Sequence, residues 1–178
     1  MELNRFSEIE TERLLLRKPK HEDWEMISYL RSDKQVNKFV NRASAETKLK
    51  ALGFIARITK GIEKEEILYW IITEKSNDEM MGSICLWHFS EDFKTAEVGY
   101  DLNPKFQGKG IMDESLKSII EFGFKSLNLD SIEAYTHGEN NLSKNLLERN
   151  SFKIIKGKKD EDNKNNIVYE LEKLTTIK

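Results

Sequence analysis

Two periods run through the hydrophobic positions of this chain. Residues 13–17 place Leu14, Leu15 and Leu16 between two arginines, and with Pro19 closing it the run reads as a first strand. Over residues 22–30, Met26, Ile27 and Leu30 recur at helical spacing. Ser44 is placed to cap a second helix that carries Leu49, Leu52, Ile55 and Ile58, and Gly61 marks its end. The period then shortens. Residues 67–73 are β-branched and aromatic, residues 74–79 are a polar hairpin loop, residues 81–89 form the next strand and residues 90–94 the next loop. From residue 96 to 102 the pattern alternates, with Ala96, Val98, Tyr100 and Leu102 on one face and Glu97, Gly99 and Asp101 on the other. Asn103-Pro104 ends it.

The clearest helix follows, with Met112, Leu116, Ile119, Ile120, Gly123, Phe124 and Leu127 on one stripe. Residues 131–136 read as a short strand and residues 141–149 as a short helix that buries Leu142, Leu146 and Leu147. Residues 152–155 and 167–171 make a last pair of strands, and the charged and amide-rich segment 158–166 between them reads as a mobile, solvated hairpin tip. Hairpins interrupted by a strand–helix–strand crossover imply an α+β (mixed α/β) fold. Its central sheet is mixed, mostly antiparallel and of about seven strands, with helices on both faces.

Composition narrows the function classes. The chain has 178 residues, the size of one domain spanning 1–178, with 38% hydrophobic and 34% charged residues. Lysines are balanced by acidic residues to a net charge of −2, which gives no general nucleic-acid surface. Met1-Glu2-Leu3-Asn4-Arg5 is followed by no long apolar run, so no signal peptide is expected. The longest apolar run, 67–72, is far too short for a membrane span. A cytoplasmic location, without membrane or nucleic-acid partners, is the expectation. Cys85 is the one cysteine and reads as an inert core thiol, and His21, His88 and His137 share no metal-ligand spacing, so no metal site is expected.

The chemistry concentrates where strand 96–102 meets the following helix. Gln107-Gly108-Lys109-Gly110-Ile111-Met112 joins them. Two glycines allow positive φ and close approach of a ligand to the backbone. A turn entering a helix points unpaired N–H groups and the positive end of the helix dipole in one direction, which suits a pyrophosphate. The turn lacks the spacing and hydroxyl of a Walker loop, and Asp113 stands where a dinucleotide fingerprint needs its third glycine. Taken alone, it is equally a flexible strand–helix connection.

In context the segment resembles the Gcn5-related N-acetyltransferases, most of all their ribosomal-protein N-acetyltransferase (RimJ/RimL-like) branch. Gln107 to Met112 matches the Gln/Arg-x-x-Gly-x-Gly/Ala hallmark except at Met112. Ala96-Glu97-Val98-Gly99-Tyr100 is similar to the family's Ala-Glu-Ile-Gly-Tyr strand, and Asp113-Glu114-Ser115-Leu116 to its Thr-Glu-Ala-Leu helix start. Asn140-Asn141-Leu142-Ser143 matches Asn-x-x-Ser, the stretch from Leu146 to Phe152 is similar to Leu-x-x-x-x-Gly-Phe, and Thr11-Glu12-Arg13-Leu14-Leu15-Leu16-Arg17 resembles the branch's opening motif. The likeness covers residues 10–172. Ser151 replaces a glycine, and Leu147 stands where many relatives carry a tyrosine that protonates the leaving thiolate.

The resemblance implies direct transfer of an acetyl group from acetyl-CoA to a primary amine, either a protein N-terminus or a small molecule, by a monomer or homodimer. It implies Glu97 as base, with Glu133 and Asp101 as alternatives, and Ser143 as the donor to the departing sulfur. Tyr100, Leu102, Gln107, Gly108, Lys109, Gly110, Ile111, Met112, Asn140 and Asn145 would contact the cofactor, with Lys144 near its adenosine end. Glu97 also reads as a strand-surface charge, and Ser143 and Asn140 as helix caps. A non-catalytic acyl-CoA-binding or sensory module on the same fold is the alternative from another class, and a nucleotide-binding regulator is a third.

Overall fold

The computed structural model describes residues 5–174. Met1 to Asn4, the start of the segment read as lacking a signal peptide, lie outside the described residues. Eight strands form one sheet: β1 Ile9–Glu10, β2 Leu14–Arg17, β3 Leu68–Glu74, β4 Asn77–Trp87, β5 Thr95–Leu102, β6 Ser131–His137, β7 Lys153–Ile154 and β8 Asn166–Glu172. Their spatial order is β1-β2-β3-β4-β5-β6-β8-β7. The ladders are antiparallel except β5–β6, which is parallel. Four helices accompany the sheet: α1 Trp24–Ser32, α2 Lys48–Glu63, α3 Ile111–Lys125 and α4 Asn141–Arg149.

The helices divide between the two faces. Tyr69 and Trp70 are neighbours on β3 and so point to opposite sides. Tyr69 meets Phe54 of α2 edge-on, with ring centroids 5.9 Å apart, whereas Trp70 meets Phe122 of α3 at 5.5 Å. The register Trp70↔Ile84↔Tyr100 carries the α3 face across to β5, and the Tyr100 hydroxyl meets Ser143 of α4. So α3 and α4 cover one face and α2 the other, with α1 packed against α2. Leu14, Leu16, Trp70, Ile72, Ile84, Leu86, Ile119 and Ile132 are fully buried in the core between these layers.

The expected architecture is present, with local differences. There are eight strands rather than seven because β1 spans two residues, too few to show a period. Helix α2 is capped by Thr47, whose side chain accepts from the Lys50 N–H, while Ser44 Oγ instead meets Ser32 Oγ. Gly61 is buried inside α2 and does not end it; the Ile67 side chain packs where a Cβ would stand. The loop expected at 74–79 contracts to a tight turn, and β4 begins at Asn77. Leu142 is 70% exposed and lies outside the buried stripe of α4. Segment 158–166 is mostly exposed, as a solvated tip should be, and is anchored at points: Lys158 Nζ donates to both oxygens of Glu133 at 2.6 Å, and Asn166 Nδ2 donates to Asp160 at 2.7 Å.

Candidate active site

The parallel β5–β6 ladder holds for three pairs, Thr95↔Ser131, Ala96↔Ile132 and Glu97↔Glu133. Past Glu97 the strands separate, since β5 stays on β4 as far as Leu102 and β6 stays on β8 as far as His137. The Asn103 N–H donates to the Met81 carbonyl at 3.0 Å, which marks Asn103 and Met81 as a hydrogen-bonded antiparallel pair. Bonding alternates along such a ladder. Asp101, Gly99 and Glu97 therefore bond β4; the Val98 N–H still serves the Glu97↔Glu133 pair with β6, and beyond it the main-chain groups of Tyr100 and Leu102 turn toward the gap. The opening is thus a cleft edged by β5 backbone that β6 does not pair.

The turn following β5 closes one end of this cleft. A 3-10 turn over Pro104–Phe106 leads into it, with Asn103 Oδ1 accepting from the Lys105 N–H. Gly108 and Gly110 both have positive φ, 73° and 75°. A Cβ at Gly108 would meet nothing within 4 Å, and one at Gly110 only Arg13 Nη2 at 3.4 Å. The glycines therefore serve backbone conformation and leave the space before the turn open. Gly110 caps α3 with no side chain, and the first helical bond runs from the Glu114 N–H to the Gly110 carbonyl. The N–H groups of Ile111, Met112 and Asp113 are left to point outward. Ile111 and Met112 bury their side chains in the core, so Met112 does not narrow this end of the turn. Lys109 Nζ lies over the Phe106 ring, 5.5 Å from its centroid. Gln107 Nε2 donates to the Leu102 carbonyl at 3.4 Å.

A latch missed by the sequence reading secures the turn. Glu114 Oε1 accepts from Thr11 Oγ1 at 2.5 Å and from the Arg13 N–H at 2.9 Å, and Arg13 Nε donates to Oε2 at 2.7 Å. Arg13 Nη1 donates to the Lys109 carbonyl at 3.1 Å. Burial pushes the Glu114 carboxyl up, but the Thr11 and Arg13 hydrogen bonds outweigh it and hold the group below its ordinary range. The opening motif and the helix-start motif are thus two halves of one contact.

The two faces of the cleft carry different chemistry. On the α3–α4 side, Tyr100 Oη and Ser143 Oγ are 2.8 Å apart. Burial pushes the Tyr100 phenol up to about 12, so it stays protonated. Asn140 caps α4, its Oδ1 accepting from the Ser143 N–H at 3.2 Å, and this leaves its amide nitrogen to donate elsewhere. The two roles that competed for Asn140 are therefore compatible. Leu147 is fully buried and presents no polar group. Asn145 is exposed, and Lys144 Nζ turns back to donate to the Gly138 carbonyl at 3.1 Å.

On the α1–α2 side, three carboxylates differ in their freedom. Glu133 holds Lys158 and accepts from the Tyr135 hydroxyl at 3.0 Å. Asp101 accepts from Ser83 Oγ at 2.6 Å and from Arg42 Nη1 at 2.8 Å. Glu97 meets His88 Nδ1 at 2.9 Å. Its side chain is 16% exposed. Burial pushes its carboxyl above the ordinary range, against the opposing pull of His88. His88 follows β4 in a left-handed conformation, φ 45°, stacked on Trp87 at 4.0 Å. Only the register Trp87↔Glu97 brings it to the cleft, and no spacing in the sequence signals that. His137 ends β6 and stacks on Phe39 at 5.2 Å, in the wall of the same side. Cys85 lies opposite Gly99 with its thiol pushed up to about 12 by burial, in keeping with an inert thiol. Among the described residues no group of three or more His, Cys, Asp or Glu side chains is placed to hold a metal ion.

Comparison with known proteins adds the family context. Residues 13–153 match the family described as "Acetyltransferase (GNAT) domain". The chain is 34% identical over 142 residues, 80% of each sequence, to "Uncharacterized N-acetyltransferase p20" of Bacillus licheniformis. Among solved structures it resembles a putative ribosomal-protein-serine acetyltransferase from Vibrio cholerae, with a TM-score of 0.80, 22% identity and coverage of 94% and 98% of the two chains. It also resembles RimL, a ribosomal L7/L12 alpha-N-protein acetyltransferase in complex with coenzyme A, with a TM-score of 0.78, 16% identity and coverage of 93% and 98%.

Proposed function

Because this chain belongs to the GNAT acetyltransferase family, we propose that it transfers the acetyl group of acetyl-CoA directly to a primary amine. The observation that carries this reading is the cleft between β5 and β6, closed by a glycine turn whose uncapped N–H groups face the same opening. Backbone donors along the turn suit the pyrophosphate of coenzyme A. The unpaired edge of β5 suits an extended pantetheine arm. The Asn140 amide would bond that arm, and Gln107 and Lys109 would flank the phosphates.

The chemistry then divides across the cleft. The amine arrives from the α1–α2 side and loses a proton to Glu97, directly or through a water. Its nitrogen attacks the thioester carbon. A β5 main-chain N–H in the Tyr100–Leu102 stretch stabilises the developing oxyanion, an effect worth about 3 kcal/mol of barrier. The carbon–sulfur bond breaks, the nitrogen of the adduct gives up its second proton to the departing thiolate or to water, and the sulfur leaves toward Ser143, which donates a hydrogen bond to it. Burial favours this division because it raises the affinity of Glu97 for a proton.

The acceptor is an amine of the ribosomal-protein N-terminal class or a small amine, in line with the ribosomal-protein acetyltransferases that share the fold. The whole of residues 1–178 acts as one domain, in the cytoplasm, as a monomer or homodimer. No helix among the described residues is long and apolar enough to cross a membrane. Thiol release from acetyl-CoA across a panel of N-terminal peptides, polyamines and aminoglycosides tests the reading. Amine-dependent thiol release is the expected result. Tight acetyl-CoA binding with no turnover on any amine would favour a non-catalytic acyl-CoA module instead.

A further inference from the structure

Tyr100 and Ser143 come from different elements, β5 and α4, and their hydroxyls meet at 2.8 Å. Two hydroxyls in contact share one proton between their oxygens and leave the other O–H pointing elsewhere. Which O–H is left over decides what the pair can do. A phenol is the better donor of the two and the poorer acceptor. The Tyr100 ring lies between the sheet and α4, and its hydroxyl makes no other hydrogen bond to a described residue. If Ser143 donated, the phenol proton would have no acceptor among the described residues and, on a half-buried side chain, only partial access to water, the less favourable arrangement. Ser143 is meanwhile fixed from its backbone by the Asn140 cap. Its Oγ has lone pairs to receive the phenol proton and one O–H to aim outward, on the coenzyme side of the cleft.

We infer that Tyr100 is a positioning residue whose phenol donates to Ser143 Oγ and thereby turns the serine O–H toward the sulfur of coenzyme A. This rests on the reading of Ser143 as the donor to the departing thiolate. Two hydroxyls in series also polarise one another, so the serine O–H donates more strongly than it would alone. No bond beyond hydrogen bonds changes in this arrangement. It acts by stabilising the thiolate form of the leaving group.

The thiolate's ultraviolet absorbance, followed against pH in the complex with coenzyme A itself, reads this without any acceptor. In the native protein the bound thiol is expected to ionise at lower pH than free coenzyme A. Tyr100→Phe keeps the ring and removes the donor, and should cut the thiolate-to-thiol ratio at a given pH by roughly tenfold. Ser143→Ala should remove the whole effect, and the double variant should match Ser143→Ala, because the tyrosine acts only through the serine. A purely structural tyrosine would lower coenzyme A affinity at low pH, where the thiol is protonated in every variant, and leave the titration alone. If Ser143→Ala shifts the titration and Tyr100→Phe does not, the positioning role is wrong and the serine role stands. If Ser143→Ala titrates like the native protein, both are wrong. A double variant worse than Ser143→Ala would also overturn the series arrangement.

Discussion

His88 Nδ1 lies 2.9 Å from Glu97 Oε2, at the foot of the opening where β5 leaves β6. Glu97 occupies the last position at which β5 pairs with β6, and its side chain faces the α1–α2 side. Of the carboxylates there, Asp101 and Glu133 are engaged by Arg42 and Lys158, whereas Glu97 meets His88, and burial raises its carboxyl.

Glu97→Gln should lower kcat by about 100-fold near neutral pH, the usual scale of general base catalysis. The deficit should shrink as pH rises and bulk solvent deprotonates the amine. Kinetics over a pH series check this, and a loss independent of pH would contradict it. Stability should move the other way. Glu97 has a raised carboxyl in the fold, so its contribution is most favourable below the unfolded-state pKa and is lost as pH rises through the folded one. Thermal melts of Glu97→Gln should therefore exceed the native protein's at pH 8 and converge with them at pH 4.

His88 pulls the Glu97 carboxyl down, against burial and against the nearby Asp160. Removing the imidazole with His88→Ala should push that carboxyl further up. The rising limb of the kcat/KM profile should then move to higher pH, with acetyl-CoA affinity unchanged. A limb in its native place would mean that His88 does not act on the base.

The latch between Glu114 and Thr11–Arg13 connects the N-terminal strand region to the cofactor turn. Glu114→Ala should cost about 1–2 kcal/mol, as lost hydrogen bonds to a charged group do. That corresponds to roughly 2–8 °C in Tm for a chain of this size. Because the native carboxyl is held low, its contribution is present above the ordinary glutamate range and fades as pH falls through the lowered value. The variant's deficit should accordingly close in acid. Weakened acetyl-CoA binding should accompany it, since Arg13 also holds the Lys109 carbonyl.

Ser151 adopts φ 69°, a left-handed conformation that glycine reaches without strain. Left-handed geometry costs a non-glycine residue roughly 1–2 kcal/mol, and the greater freedom of glycine in the unfolded chain returns about half of that. Ser151→Gly should thus raise stability by about 0.5–1 kcal/mol in denaturant titration, without altering turnover.

Much of this architecture was legible in the sequence because it is periodic. The α3 stripe, the alternation along β5 and the glycine turn each follow from local rules, and their order suffices for the fold. What stayed hidden depends on register and on distant pairing. His88 reaches Glu97 only because Trp87 stands opposite it, and Thr11 and Arg13 reach Glu114 across about a hundred residues. Ser44 and Thr47 both fit a cap signal, and Gly61 looks like a helix end until Ile67 packs over it. Segment 158–166 is solvated as its charges suggest, but nothing in its own composition reveals that Lys158 seats on Glu133.

Acetyl-CoA binding at the glycine turn is the central claim, and calorimetry on a matched pair of variants tests it most directly. Gly110 and Gly157 both have positive φ, and a Cβ at Gly157 would meet nothing within 4 Å, so tryptophan imposes a similar backbone cost at either site. Gly110→Trp fills the space before the turn, and Gly157→Trp lies in the segment before β8. Gly157→Trp should bind acetyl-CoA like the native protein, and Gly110→Trp should bind at least tenfold more weakly while still unfolding cooperatively, a loss of about 1.4 kcal/mol or more. Native affinity in a folded Gly110→Trp variant would contradict the assignment of the turn.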